Sequence, residues 1–208
     1  MKLLCIDTTK QKAIIALNNE GKMLYREIPE TKRHSEDLLI ELEQFLCDNR
    51  LTIKDITNLG CVTGPGSFTG IRIGMATVKA ISFALNLPIV SADCFSVIAE
   101  DYKNGYVALK NTSTAVYMAK ITDGVVGEIM VVNNEDILPT INEEDLFVSD
   151  CEQIDAVKSY KNINVIDNYN SVMLKHFVKL VETESYTNGN NFAPTYAQLS
   201  QAERNLKD

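Results

Sequence analysis

The stretch MKLLCIDTTKQKAIIALNNEGKMLYREI, from Met1 to Ile28, decides the fold. It holds three short β-rich runs, at Lys2–Ile6, Ala13–Leu17 and Met23–Ile28, and residues 18–21 (Asn-Asn-Glu-Gly) between the last two are typical of a hairpin turn. The sequence therefore predicts that the chain begins with three antiparallel strands.

Helix-linked strands follow this start. Apolar residues at helical spacing predict one helix from Ser35 to about Asn49, and a second predicted helix, Thr69–Leu85, ends before Pro88. Strands are predicted at Leu59–Thr63 and Ile89–Ala92. The order β-β-β-α-β-α-β predicts an α/β fold in which helices cover a mixed sheet.

The second half of the chain is less periodic. Its predicted elements are strands at Tyr106–Leu109, Ala115–Ile121 and Val125–Val132, a helix at Val172–Val181, a polar loop at Glu182–Pro194 and a terminal helix at about Ser200–Lys207. We predict two domains, 1–100 and 101–208, with the terminal helix packing back on the first.

Composition excludes several classes of protein. The 208 residues are 45% apolar and 23% charged, which is typical of a globular chain. The net charge of −8 comes mostly from the second half, where eight carboxylates and no Lys or Arg lie between Glu135 and Asp155. Such a surface repels phosphate backbones, so we expect no unaided binding of nucleic acid.

The N-terminus and the cysteines predict a cytoplasmic chain. The start resembles a strand more than a signal peptide, and the longest uncharged run, Ile56–Ile71, is too interrupted by Gly and Pro to span a membrane. The cysteines are odd in number and form no Cys-x-x-Cys pair, so we expect reduced thiols. They are Cys5, Cys47, Cys61, Cys94 and Cys151.

A glycine-rich segment, TGPGSFTGIRIG from Thr63 to Gly74, separates a predicted strand from a predicted helix. Free N–H groups at a helix N-terminus bind anions, but the spacing fits neither the dinucleotide fingerprint nor a Walker A loop. The alternative is a tight turn that requires positive φ.

The helix after this segment is apolar over most of its circumference. Its residues Gly70, Gly74, Thr77, Ile81 and Ala84 share one face, Ala76, Ala80 and Phe83 lie on another, and Arg72 and Lys79 form a narrow polar strip. We predict that the glycine face is left open for a second backbone. The alternative is that the second domain of the chain covers it.

The first helix has an outer face that carries Glu36, Ile40, Glu43 and Cys47, which suggests a docking surface beside the second helix. The predicted partner-binding residues are Ile40, Glu43, Cys47, Gly64, Pro65, Gly66, Ser67, Phe68, Thr69, Gly70, Arg72, Gly74, Thr77 and Ile81.

No catalytic constellation is predicted. Asp7 is a weak candidate for cofactor binding and equally a strand-end cap, and the turn after it lacks a glycine for close approach to phosphate. The two histidines, His34 and His176, have no metal-ligand spacing. Ser67 lacks the Gly-x-Ser-x-Gly context of a nucleophile.

Three motifs together resemble the TsaB (YeaZ) family. They are Asp7-Thr8 in the first strand, Arg33-His34-Ser35-Glu36 at the first helix, and Gly-Pro-Gly-Ser-Phe-Thr-Gly-Ile-Arg-Ile-Gly at residues 64–74. The resemblance covers about residues 1–100. It implies an actin-like (ASKHA, ribonuclease H-like) fold of two related lobes, in a superfamily that is also called glycoprotease-like.

The resemblance also implies a role in making tRNA threonylcarbamoyladenosine. Members are accessory subunits that pair with the catalytic TsaD through the first two helices and the glycine-rich segment, recruit the ATPase TsaE, and form homodimers when free. It implies no metal or cofactor on this chain alone, ATP or ADP at the junction with partners, and tRNA contact only through the complex.

The second lobe departs from the family pattern. Lys110–Ala115 replaces an Asp-Ala-Arg-type stretch, and Gln198 stands where the family has arginine. Two alternatives stay open: a peptidase or nucleotide-dependent enzyme of the actin-like class, and a direct tRNA-binding module.

Overall fold

The computed structural model describes residues 1–29, 34–142, 147–149, 161–187 and 191–197. Contacts divide the chain into two compact units, Met1–Cys94 with Asn170–Thr195 and Phe95–Tyr169 with Tyr196–Asp208. This grouping differs from the predicted division at residue 100 in its position and in placing residues 170–195 with the first unit. The predicted terminal helix lies outside the described residues.

A five-stranded mixed sheet forms the centre of the first unit. Strand β2 is antiparallel to both of its neighbours, β1 and β3, whereas β1, β4 and β5 are parallel, in the order β3-β2-β1-β4-β5. The predicted strands and the mixed sheet are confirmed, with each strand end within two residues of its prediction. The bounds are β1 Lys2–Asp7, β2 Ala13–Asn19, β3 Lys22–Ile28, β4 Asn58–Val62 and β5 Ile89–Ala92.

The hairpin between β2 and β3 shows why the sequence was informative here. Glu20 and Gly21 both have positive φ, +53° and +95°, as a primed two-residue turn requires, and Asn18 Oδ1 accepts a hydrogen bond from Gly21 N at 2.8 Å. The turn fixes the register at Asn19 opposite Lys22, which places alternate residues of both strands on the same face.

Helices cover both faces of this sheet. The helices α1 (His34–Asp48) and α2 (Phe68–Leu85) contact each other and bury one set of side chains in a core shared with alternate residues of the strands, among them Leu59. The helix α5 (Tyr169–Glu182) lies on the other face, where Phe177 packs over Gly60. The two neighbouring strand residues, 59 and 60, therefore point to different helices.

The second unit contains a second mixed sheet, in the order β11-β10-β6-β7-β8, with β9 also paired to β7. The bounds are β6 Gly105–Lys110, β7 Ala115–Thr122, β8 Val125–Val126, β9 Met130–Asn133, β10 Phe147–Ser149 and β11 Ile163–Val165. The short helices are α3 (Cys94–Ile98) and α4 (Ile137–Thr140), and a 3₁₀ turn spans Asn134–Asp136. A second 3₁₀ turn, Ile53–Asp55, belongs to the first unit.

Two differences from the sequence prediction lie in this unit. The predicted strand Val125–Val132 is two strands, β8 and β9. The strand is interrupted at residues 127–129, where the N–H of Gly127 donates to Lys120 O at 2.8 Å. The elements α3, α4, β10 and β11 were not predicted, since three to five residues are too few to show a period. Part of the acidic run, including residues 150–155, lies outside the described residues.

Candidate functional site

The glycine-rich loop is held by the chain's own backbone. Gly64 has φ +125°, its carbonyl O accepts from Cys94 N at 2.7 Å, and Thr63 O accepts from Thr195 N at 2.8 Å. Ser67 begins α2 as its N-cap, with the side chain accepting from Gly70 N at 3.1 Å. These contacts support a tight turn that requires positive φ at Gly64.

The β1–β2 turn packs directly on the start of α2. Thr8 Oγ1 donates to Gly70 O at 2.6 Å, and Ser67 N donates to Thr9 O at 2.7 Å. A Cβ at Gly66 or Gly70 would overlap the backbone of this turn. The N–H of Ser67 at the N-terminus of α2 is therefore already paired with this turn.

The prediction that the glycine face of α2 is open was wrong. Gly70 and Gly74 are buried, and a Cβ at Gly74 would overlap Thr8 Oγ1. The close approach that glycine permits is made by a neighbouring turn of the same unit rather than by a partner. Thr77 and Ile81, predicted on the same face, are half-buried, and Ile81 packs on the core.

The exposed side of α2 is instead the face of Ala76, Ala80 and Phe83. All three are exposed, and the Phe83 side chain is 91% exposed. Arg72 and Lys79 flank this face, and the Arg72 guanidinium lies 4.0 Å from the centre of the Phe68 ring. An almost fully exposed phenylalanine beside exposed alanines is an apolar surface that its own unit leaves uncovered.

By length and composition alone, α2 would be long enough and apolar enough to cross a membrane, and no other helix in the described part of the chain meets that criterion. The core helix of a globular protein meets the same criterion. Ile71, Met75 and Val78 on its inner side belong to the core of the first unit. The apolar composition therefore serves a core on one side and a bare surface on the other.

The helix α1 contacts α2 and also leaves apolar residues exposed. Leu39 and Ile40 are 61% and 62% exposed, and Glu43 and Cys47 are exposed beside them. Over its length α1 carries carboxylates and no Lys or Arg, whereas α2 carries two basic residues and no carboxylate. We call the exposed residues Leu39, Ile40, Glu43, Cys47, Arg72, Ala76, Lys79, Ala80 and Phe83 the outer helix face.

The structure separates the predicted partner-binding residues into three groups by their exposure. Ile40, Glu43, Cys47, Ser67, Thr69 and Arg72 are exposed, whereas Gly64, Pro65, Gly70 and Gly74 are buried and Gly66, Phe68, Thr77 and Ile81 are half-buried. The predicted set omitted Leu39, Ala76, Lys79, Ala80 and Phe83. The polar strip of Arg72 and Lys79 was the sequence signal for the solvent side of α2.

Asp7 is a strand-end cap in the structure. Its Oδ1 accepts from Thr9 N at 2.8 Å and from Thr9 Oγ1 at 2.6 Å, and the side chain is fully buried. Cys94 Sγ lies 3.4 Å from the same hydroxyl, and burial raises the pKa of this thiol to about 12. A thiol so rarely ionised at neutral pH is a poor nucleophile.

The remaining candidates from the sequence are metal-ligating side chains, His176, Lys110–Ala115 and Gln198. Among the residues that the structure describes, no three His, Cys, Asp or Glu side chains group as a metal site. His176 is half-buried in α5 against the edge of Phe177, at 6.1 Å between ring centres. In the second unit, Lys110–Ala115 forms a hairpin turn in which Thr112 N donates to Ala115 O at 2.9 Å, and Gln198 lies outside the described residues.

Comparison with known families gives the chain its relatives. The model of the family described as TsaD, tRNA N6-adenosine threonylcarbamoyltransferase, matches residues 28–158, which include α1 and α2. The chain belongs to this family. Within it, the resemblance to TsaB is confirmed by several curated relatives of that name.

The tRNA threonylcarbamoyladenosine biosynthesis protein TsaB of Escherichia coli K12 is 29% identical over 107 residues, covering 50% of this chain and 46% of the relative. That of Bacillus subtilis 168 is 30% identical over 100 residues, 48% and 44%. A tRNA N6-adenosine threonylcarbamoyltransferase of Clostridium kluyveri is 34% identical over 68 residues, 32% and 20%. The chain spans about half the length of the curated TsaB relatives it matches.

Solved structures confirm the fold class. YeaZ from Pseudomonas aeruginosa superposes with a TM-score of 0.70 at 18% identity, covering 94% of this chain and 99% of that one. The AlfA filament structure from a Bacillus subtilis plasmid gives a TM-score of 0.51 at 12% identity, with coverage of 88% and 98%. The α/β fold is therefore actin-like, as the resemblance implied.

Proposed function

We propose that this chain is a non-catalytic, cytoplasmic subunit for tRNA threonylcarbamoyladenosine biosynthesis, and that it pairs through the outer helix face with TsaD. The observation that carries the proposal is the 91% exposed side chain of Phe83 on a helix whose neighbouring outer residues, Ala76 and Ala80, are also exposed and apolar. A surface of this kind is typical of a protein–protein interface.

The family match supports the choice of partner. A model built for threonylcarbamoyltransferases matches the stretch that contains α1 and α2, so the catalytic family has counterparts of both helices. Two related chains that each present such a helix pair can associate about a quasi-twofold axis. In such a pairing the acidic α1 and basic α2 of this chain each favour a partner helix of opposite charge.

The role is an activating one in this proposal. Binding of the outer helix face stabilises the competent conformation of TsaD and shifts its population toward that state. The inert Cys94 thiol and the Asp7 cap support a chain that leaves the chemistry to its partner. TsaE then joins through the pair, tRNA is contacted only through the complex, and ATP or ADP at the junction with partners stays a prediction.

The test is binding of TsaD from the same organism, measured by calorimetry. Phe83→Glu places a charge at the centre of the outer helix face, and we expect it to weaken binding by at least about thirtyfold, as at an interface hot spot. Because Phe83 packs on almost nothing, the melting temperature of the free chain stays unchanged.

Tyr25→Glu is the matched control. Tyr25 is an exposed aromatic residue, 60% exposed, and it lies on β3 opposite Ala16, away from the side of the sheet that α1 and α2 cover. We expect this variant to bind TsaD normally. Equal binding by Phe83→Glu and wild type would refute the proposal, as would tRNA modification in a reconstituted assay that proceeds at full rate with Phe83→Glu.

A further inference from the structure

The first turns of α2 are fixed in place by one short turn of the chain. Thr8 donates its hydroxyl hydrogen to Gly70 O at 2.6 Å, and the same oxygen lies against the bare Cα of Gly74. One residue later, Thr9 O accepts from Ser67 N at 2.7 Å. A single residue of the β1–β2 turn, Thr8, thus touches two successive turns of the helix.

Thr8 is itself held firmly. Its side chain is 1% exposed, and the turn that carries it is closed by the two hydrogen bonds that Asp7 Oδ1 accepts from Thr9. Because a buried hydroxyl that loses its acceptor is costly, the bond to Gly70 fixes the distance between turn and helix.

The outer helix face is sensitive to this distance. Phe83 lies nine residues after Gly74, about 13 Å farther along the helix axis. A tilt of about 5° at Gly74 therefore moves Phe83 by about 1 Å, which is enough to misalign an aromatic anchor in a well-packed pocket.

We infer that Thr8 is a positioning residue for partner docking, which it controls without touching the partner, by setting the tilt of α2. This inference rests on the proposed function of the outer helix face. It assigns the close contact between Thr8 and Gly74 to the geometry of that face, and it places the residue that sets this geometry in the turn after β1.

The experiment compares three variants of the whole chain for binding to TsaD from the same organism. Thr8→Val keeps the branched shape and removes the hydroxyl, and we expect the Kd to rise about tenfold, as for one lost buried hydrogen bond. Thr8→Ser keeps the hydroxyl, and we expect its Kd to stay within about twofold of wild type.

Val90→Ala is the control for general destabilisation. Val90 is fully buried and pairs with Gly60, so it belongs to the side of the sheet that α5 covers. It lowers the melting temperature without changing the tilt of α2, and its Kd stays at the wild-type value. Should Thr8→Val fail to fold, Thr8→Ala replaces it in the same comparison.

The outcomes separate the two proposals. A Kd of Thr8→Val within twofold of wild type, or a Kd of Val90→Ala that rises as much, overturns the positioning role even where Phe83→Glu abolishes binding. Normal binding by Phe83→Glu overturns the docking proposal itself. A rise with Thr8→Val, rescue with Thr8→Ser and no change with Val90→Ala support the inference.

Discussion

Replacing Gly74 by alanine changes the stability of the chain in a direction that depends on what covers the glycine face of α2. On an open helix face, the change stabilises by about 1 kcal/mol, because alanine is the better helix former. In this structure the new methyl group would overlap Thr8 Oγ1. The sign of the measured change in the free energy of unfolding therefore shows whether Thr8 contacts Gly74.

The magnitude follows from two costs. Forcing a methyl group into a filled site costs about 1–3 kcal/mol. Displacing the Thr8 hydroxyl from Gly70 O costs about 1 kcal/mol more, since a buried hydrogen bond is lost. After the gain in helix propensity is subtracted, we expect Gly74→Ala to lower the free energy of unfolding by about 1–3 kcal/mol.

The assay is urea denaturation of a double-mutant cycle. In a Thr8→Ala background the overlapping oxygen is gone, and Gly74→Ala then stabilises by about 1 kcal/mol. Gly70→Ala is the control, because its methyl group would overlap the backbone O of Thr8, which Thr8→Ala leaves in place. A stabilising Gly74→Ala in the wild-type background would refute the reasoning.

Two further predictions concern titratable groups. A thiol reagent at pH 8 modifies the exposed Cys47 and spares Cys94, whose pKa burial raises to about 12, as mapped by mass spectrometry of the native chain; labelling of both at equal rates contradicts the structure. The hydrogen bond from Asn170, with the one from Lys12, lowers the pKa of Glu27 below 4.5, so its stabilising effect is present at pH 7 and is lost as the pH falls through the lowered value. Melting temperatures of wild type and Glu27→Gln should therefore differ at pH 7 and converge as the pH falls through the lowered pKa of Glu27, and a constant difference would argue against the hydrogen bonds.

The local structure of the first unit could be predicted from the sequence. Turn residues such as Glu20 and Gly21, and the alternation of β1 and β2, depend on near neighbours, so their signal is local. The extent of α2 was also clear, since its predicted range of 69–85 differs from Phe68–Leu85 by one residue.

The orientation of α2 could not be settled from its own residues. Periodicity shows which residues share a face, but a helix that is apolar nearly all round has two faces able to meet a core. The decision depends on Thr8, which is 62 residues away from Gly70 in the chain. The Arg72 and Lys79 strip was the one local hint, because charged residues stay in water.

The packing position of α5 could not be predicted from the sequence, for the same reason. Its helical pattern predicted a helix at 172–181, and the structure extends it to Tyr169–Glu182. That pattern does not show which strand the helix packs on. Phe177 packs over Gly60, more than a hundred residues earlier, where a Cβ would come within 3.2 Å of the ring and within 2.5 Å of Cys5 Sγ.

The packing of α5 on a sheet that the first 92 residues form has a consequence for biosynthesis. A ribosome that has released residues 1–94 has produced all five strands of the first sheet, yet Cys5 and Gly60 still lack the helix that packs over them. That side of the sheet stays open to solvent while residues 95–169 of the second unit are translated. The nascent chain therefore carries an exposed apolar surface for about 75 codons, the interval in which a chaperone or premature aggregation competes with native closure.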